Sequence, residues 1–216
     1  MVPGAFNALL ARMIERAGFQ ALYVSGAAVS AGMGIPDIGL LTLSEVAEES
    51  RRMTAAVSIP AIVDVDTGFG EAVNVERTVR TLEAAGAAAI QIEDQRLPKR
   101  CGHLSGKELV SCDEMAAKVR TAVAARRDPD FVIIARTDAR GVNGFDDAVI
   151  RAKAYRVAGA DAVFPEAMES ADEFKRFRQA VDGPLVANMT EFGKSPLVPF
   201  DELAAIGYSL VLFPVT

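Results

Sequence analysis

A parallel (β/α)8 barrel of the TIM type is the fold that this 216-residue sequence predicts, and three observations carry that expectation. Eight short apolar segments rich in valine, isoleucine or alanine alternate with longer amphipathic ones. Amphipathic stretches stop at Gly18, Gly86, Gly159 and Gly207 just before an apolar segment, as where a helix ends on a left-handed residue. Three more open on the capping-box spacing, Thr42 with Glu45, Ser111 with Glu114 and Ser170 with Glu173, which satisfies first-turn amides.

Taken in order, the strands are a weaker one at Val2 to Phe6, then Ala21 to Val24, Ala61 to Val65 and Ala88 to Ile92. Phe131 to Ala135, Ala162 to Phe164, Leu185 to Ala187 and Leu210 to Phe213 complete the set. Continuous apolar runs of this length fit strands covered on both faces, with about seven helices between them. An open doubly wound sheet is the alternative, but it calls for fewer strands and a glycine-rich phosphate turn after the first, which is absent. One domain over residues 1–216 is expected, without a linker.

Composition narrows the function. With 50% hydrophobic residues and a mean hydropathy of +0.21, the chain has enough apolar surface for a substantial core, which excludes disorder. A net charge of −6, a pI near 5.0 and dispersed cations give no footprint for phosphate backbones, so no nucleic-acid partner is expected. Cys101 and Cys112 are too few for a disulfide framework and no secretory pattern follows Met1, so a cytoplasmic protein is expected. The small-residue run Ala84 to Ile90 is far short of the ~20 apolar residues of a membrane span, so no membrane partner is expected.

In such a barrel the reactive groups gather at the carboxyl ends of the strands. In Ala61-Ile62-Val63-Asp64-Val65-Asp66-Thr67-Gly68 the two-residue period places Asp64 and Asp66 on one face. Paired interior carboxylates repel unless a cation or proton intervenes, and few hard oxygen ligands suit Mg²⁺ or Mn²⁺ better than zinc. The following strands end in Gln91-Ile92-Glu93-Asp94, in Arg136-Thr137-Asp138, at Glu166, and at Asn188 and Thr190. Together they offer a metal cradle, an arginine for bidentate carboxylate binding and donors for a second anionic group, which implies a small polycarboxylate substrate. At the second strand Tyr23-Val24-Ser25-Gly26-Ala27 can set a hydroxyl and amides around a carboxylate. The loop Lys99-Arg100-Cys101-Gly102-His103 brings a thiol and the single imidazole of the chain beside two cations, which suits proton transfer.

These motifs, spread from Pro3-Gly4 to Phe213-Pro214, resemble the isocitrate lyase and phosphoenolpyruvate mutase superfamily, and within it the 2-methylisocitrate lyases. The most specific are Val63 to Gly70, Gln91 to Gln95, Lys99 to His103, Ala135 to Ala139, Phe164 to Ala167 and Ala187 to Pro196. The resemblance implies a Mg²⁺-dependent carbon–carbon lyase that releases succinate and an α-keto acid, pyruvate in the case of 2-methylisocitrate. It makes Asp64 and Asp66 the metal-binding aspartates and Cys101 the thiol that handles the proton at the succinate carbanion, accompanied by Lys99, Gly102 and His103. Arg136 becomes a substrate-carboxylate ligand, Glu166 a residue near the metal and the reacting oxygen, and Asn188 with Thr190 part of the succinyl pocket. Tyr23, Ser25, Gly26 and Ala27 match the segment around the keto acid, and Asp37 another active-site aspartate. The base for the substrate hydroxyl stays open among Tyr23, Glu166 and Asp66.

Relatives in this superfamily carry a helix before the first strand and more chain after the eighth, including one that packs on a neighbouring subunit. The expectation is therefore a barrel lacking the N-terminal helix and the helix after strand eight, with the family's homotetramer in doubt. Competing functions are a sister activity on the same site, such as 2,3-dimethylmalate, oxaloacetate or isocitrate cleavage or phosphonate mutase chemistry, and a catalytically silent fragment.

Overall fold

The alternation of apolar and amphipathic segments does close into a barrel. The structure, a computed structural model, describes residues 1–102, 104, 106–191 and 193–215. The elements are β1 (Val2–Ala5), α1 (Ala8–Arg16), β2 (Leu22–Val24), α2 (Gly26–Gly32), α3 (Leu43–Thr54), β3 (Ala61–Asp64) and α4 (Ala72–Ala84). Then come β4 (Ala89–Glu93), α5 (Cys112–Ala125), β5 (Val132–Thr137), α6 (Ala139–Val142), α7 (Phe145–Val157) and β6 (Ala162–Pro165). The chain continues through α8 (Ala171–Ala180), β7 (Val186–Asn188), α9 (Phe200–Ile206) and β8 (Leu210–Phe213).

The strands form one eight-stranded sheet in the order β6-β5-β4-β3-β2-β1-β8-β7, all neighbours parallel. Among the described residues the ring is completed between β6 and β7 by a single bridge, Val163 with Leu185. Alternation along each strand separates two cores. Outward residues such as Val63, Ile90, Ile92 and Ile133 pack on helix residues Val75, Val79, Leu82, Met115 and Val119. On the other flank Val163, Leu185, Ala187 and Val211 meet Phe174, Phe177 and Leu203. Inward residues Val2, Ile62, Ala89, Ile134, Ala162, Val186 and Leu212 fill the barrel itself, with Tyr23 and Phe164 above them. Wholly burying a side chain such as Leu82 or Phe177 contributes about 1.5–3 kcal/mol, so the helices are held mainly by this packing.

The punctuation holds in detail. Gly18, Gly86, Gly159 and Gly207 all take positive φ after a helix, and the Thr42–Glu45 and Ser111–Glu114 boxes are reciprocal. Ser170 caps Glu173 N–H at 3.1 Å, but the Glu173 carboxylate turns to Arg140 and the Glu169 amide, so the third box is half made. Two helices go beyond the seven expected, α2 after β2 and α6 after β5. Both are too short to display a hydrophobic period. Among the described residues no helix precedes β1 or follows β8, and no helix is long and apolar enough to cross a membrane.

Candidate active site

One step of two residues up from the barrel core, the inward positions turn polar: Asp64 above Ile62, Gln91 and Glu93 above Ala89, Arg136 above Ile134, Glu166 above Phe164 and Asn188 above Val186. A small cavity of about 90 Å³ opens there. It is lined by Tyr23, Ser25, Ala27 and Asp37, by Asp64, Lys99, Cys101 and Gly102, and by Arg136, Glu166, Asn188 and Thr190. Phe164, Leu212, Pro214 and Val215 give it an apolar wall.

An acidic nest forms one end. β3 stops at Asp64, and Asp66 lies beyond it with φ 48°, so the strand period alone does not align the two carboxylates. A left-handed turn does: a methyl group added to Gly26 would lie 3.1 Å from Asp64 Oδ2 and 3.6 Å from Asp66 Oδ1. Only glycine leaves that approach open. The Gly26 amide donates to Asp64 Oδ2 at 3.3 Å, and Ser25 Oγ accepts from the Ala28 amide at 3.3 Å. The Lys99 ammonium, 3% exposed, reaches Asp37 Oδ1 and lies 2.8 Å from Asp66 Oδ1. Burial works against that charge, but Glu93, Asp66, Asp64 and Asp37 outweigh it and raise the Lys99 pKa. Burial and the repulsion of Asp64 push Asp66 up to about 6.

Tyr23 OH donates to Gln91 Oε1 at 2.6 Å, and burial, reinforced by Asp64, pushes the phenol well above its ordinary range. Arg136 is held from several sides. Its Nε and Nη2 donate to the two Asp138 oxygens at 2.9 and 3.1 Å, Nη1 lies 3.2 Å from Glu166 Oε2, and Nε is 3.3 Å from Glu93 Oε2. The guanidinium also stacks over Phe164, 5.1 Å from the ring centre. The bidentate edge expected to grip a ligand is thus already engaged by Asp138. Asn188 Nδ2 donates to Glu166 Oε2 at 3.2 Å. Burial raises the Glu93 pKa well above the ordinary carboxylate range, with Arg136 opposing.

The loop between β4 and α5 covers this arrangement and presents Cys101 and Gly102 to the cavity. A methyl on Gly102 would come within 2.3 Å of Arg136 Nη2 and 2.7 Å of Glu166 Cγ, so the loop backbone rests directly on the charged floor. His103, expected in this group, lies outside the described residues. The other expected residues converge, Gly26 and Asp66 through their contacts with Asp64 and Lys99. Sequence reasoning marks Glu93 and Asp138 only as polar strand ends and passes over Lys107, whose Nζ reaches the Gly102 carbonyl and Asp138 Oδ1. Glu93 carries a usable signal, the same inward step that marks Asp64; Lys107 sits in a loop, where spacing carries none.

Among the described residues no three or more His, Cys, Asp or Glu side chains form a ready ligand set. The donors nevertheless fit a hard divalent cation. Mg²⁺ is held by one or two carboxylates and completes its shell with water and substrate, and Asp64 and Asp66 adjoin one another. Asp66 Oδ1, although 2.8 Å from Lys99 Nζ, receives no well-directed hydrogen bond, and Glu93 Oε1 is likewise buried without one.

The phosphoenolpyruvate phosphomutase family matches residues 1–215. A 2-methylisocitrate lyase of Aeropyrum pernix is 57% identical over 216 residues, which are 100% of this chain and 70% of that protein. The crystal structure of a 2,3-dimethylmalate lyase superposes with a TM-score of 0.95 at 39% identity, covering 99% of this chain and 72% of the other. Phosphonopyruvate hydrolase, in a complex with oxalate and Mg²⁺, superposes at 0.89 with 38% identity, covering 99% and 74%.

Proposed function

The chain belongs to the phosphoenolpyruvate mutase and isocitrate lyase superfamily, and from that premise we propose that it is a Mg²⁺-dependent lyase that cleaves 2-methylisocitrate into pyruvate and succinate. One observation carries the reading: Cys101 lines the same cavity as Asp64, Arg136 and the Lys99 that pairs with Asp66. The 57% identity to a protein named for that activity supports the substrate.

The reaction breaks the bond between the hydroxyl-bearing carbon and its neighbour. A base takes the hydroxyl proton, the oxygen electrons form the keto group of pyruvate, and the bonding pair moves to the carbon that becomes succinate. That carbanion takes a proton from Cys101, which is left as thiolate among cations. Asp64 and Asp66 would hold the Mg²⁺, which supplies charge stabilisation for the oxygen as its proton leaves. Lys99, kept protonated by its carboxylates, orients the nest rather than acting as a base. Tyr23 donates to Gln91 and stays a phenol, which favours a hydrogen-bonding role over a basic one and leaves Glu166 and Asp66 as bases. Asn188 and Thr190 would face the succinyl half, Arg136 a substrate carboxylate, and Tyr23, Ser25, Gly26 and Ala27 the keto-acid half. Cytoplasmic residence fits two cysteines that form no disulfide.

Purified protein with Mg²⁺ is expected to release pyruvate from 2-methylisocitrate in a coupled assay, and chelation is expected to abolish the release. Faster formation of glyoxylate from isocitrate, or of pyruvate from 2,3-dimethylmalate, would overturn the substrate assignment.

A further inference from the structure

We propose that Lys107 is a positioning residue, a latch whose ammonium ties the Cys101–Gly102 backbone to Asp138 and so fixes the thiol over Arg136. Its meaning for turnover rests on the lyase reading; the latch itself does not.

Lysines in loops ordinarily keep the ammonium in water, because desolvating it costs several kcal/mol without a partner. The Lys107 side chain is 1% exposed, and its Nζ has two acceptors. Asp138 Oδ1 lies at 2.6 Å, and the second is the Gly102 carbonyl. The Asp138 carboxylate is the same one that grips Arg136 at two points. One buried carboxylate therefore holds both the cavity's arginine and the cation that reaches the loop.

The rest of the loop is fastened differently. Its base is a short antiparallel ladder, with Gln95 bridging Leu109, the Arg96 amide donating to Glu108 O at 2.8 Å and the Val110 amide to Asp94 O at 3.0 Å. Gln95 also holds the Arg100 backbone at 2.8 and 2.9 Å. Those contacts bind the loop to itself, and Lys99 ties it on the other side of Cys101 to Asp37 and Asp66. Lys107 links residue 102, next to Cys101, to the barrel wall at the end of β5. With no space for a side chain at position 102, where Arg136 and Glu166 close in, a small lift of that carbonyl takes the backbone off those two residues and shifts the adjacent thiol with it.

The test is differential alkylation. The whole protein is treated with iodoacetamide without substrate, and modification of Cys101 and Cys112 is followed by peptide mass spectrometry, Cys112 serving as internal reference at the start of α5. Lys107→Met is expected to raise the Cys101 to Cys112 rate ratio roughly tenfold or more, as loss of a charge-assisted hydrogen bond predicts. Lys107→Gln, which keeps a donor, should fall between, and carries the test alone if Lys107→Met does not fold. On 2-methylisocitrate, kcat should drop more than KM rises, with partial rescue in Lys107→Gln. An unchanged ratio, or equal acceleration of both thiols, would overturn the latch. An altered ratio in protein that cleaves no 2-methylisocitrate would support the latch and count against the lyase reading alone.

Discussion

The barrel's interior is two rooms built by the same strands. In the lower one Ile62, Ala89, Ile134 and Val186 pack together in one hydrophobic cluster. In the upper one Asp64, Glu93, Arg136 and Asn188, each on one of those strands, crowd charge and amide groups into a buried space. Among the described residues, Asp66 Oδ1, Thr67 Oγ1, Gln91 Nε2 and Glu93 Oε1 are buried without a hydrogen-bond partner, and they belong to the upper room or its edge. An unsatisfied buried polar group costs about 1–3 kcal/mol. The lower room therefore stabilises the fold and the upper one draws on that stability, as expected of a site made to bind a ligand's charges.

The sharpest way to break that contrast is to alter chemistry in the upper room without touching the fold. Cys101→Ser is expected to lower kcat by ~10³-fold, within the range for lost proton transfer, with an unchanged melting temperature. Cys112→Ser, at a helix start, should leave both within experimental scatter. Equal damage from the two would remove the role given to Cys101.

The converse substitution lies in the lower room. Ile134→Ala should cost about 2–5 kcal/mol in denaturant unfolding while the folded fraction keeps its kcat. Glu93→Gln, on the neighbouring strand β4, should do the opposite: stability unchanged to about 1 kcal/mol or slightly improved, and turnover reduced, because burial already raises that carboxylate's pKa. A large loss of stability in Glu93→Gln would mean that its ion pair with Arg136 outweighs its desolvation.

A smaller effect concerns acid. Burial would raise Asp138, but Arg136 and Lys107 overcome it and hold the pKa at about 2, below the ordinary 3.8. A depressed carboxylate stabilises the fold fully above its unfolded pKa and loses that contribution as pH falls towards the folded one. Melting temperature should therefore decline between about pH 4 and 2, and less steeply in Asp138→Asn. Asp94, raised by burial and by Asp138, works in the other direction but above the ordinary carboxylate pKa, so the limb below about pH 4 is the one that reports Asp138. Parallel acid limbs would exclude that assignment.

The lower room was the more legible of the two. Strands, helix-ending glycines and two capping boxes declare themselves through short-range patterns that tertiary contacts leave intact. Asp64, Arg136 and Asn188 were also legible, because a two-residue period and a strand end say which way they point. What escaped depends on chain reversal: the left-handed turn that swings Asp66 back toward Gly26, and the approach of Lys107 to Asp138 across 31 positions of sequence. The engagement of Arg136 by Asp138 is hidden for a different reason, since a strand's period turns neighbours two places apart the same way without showing that one grips the other.

The single bridge between β6 and β7 has a consequence for how the cavity responds to its contents. Elsewhere the wall is knitted by several rungs, but here Val163 and Leu185 make the described join. Glu166 and Asn188 stand just above it on opposite edges and reach for one another at 3.2 Å. Any widening of that seam would change the spacing of those two side chains. A ligand gripped by both acts as a stitch across the loosest join of the ring.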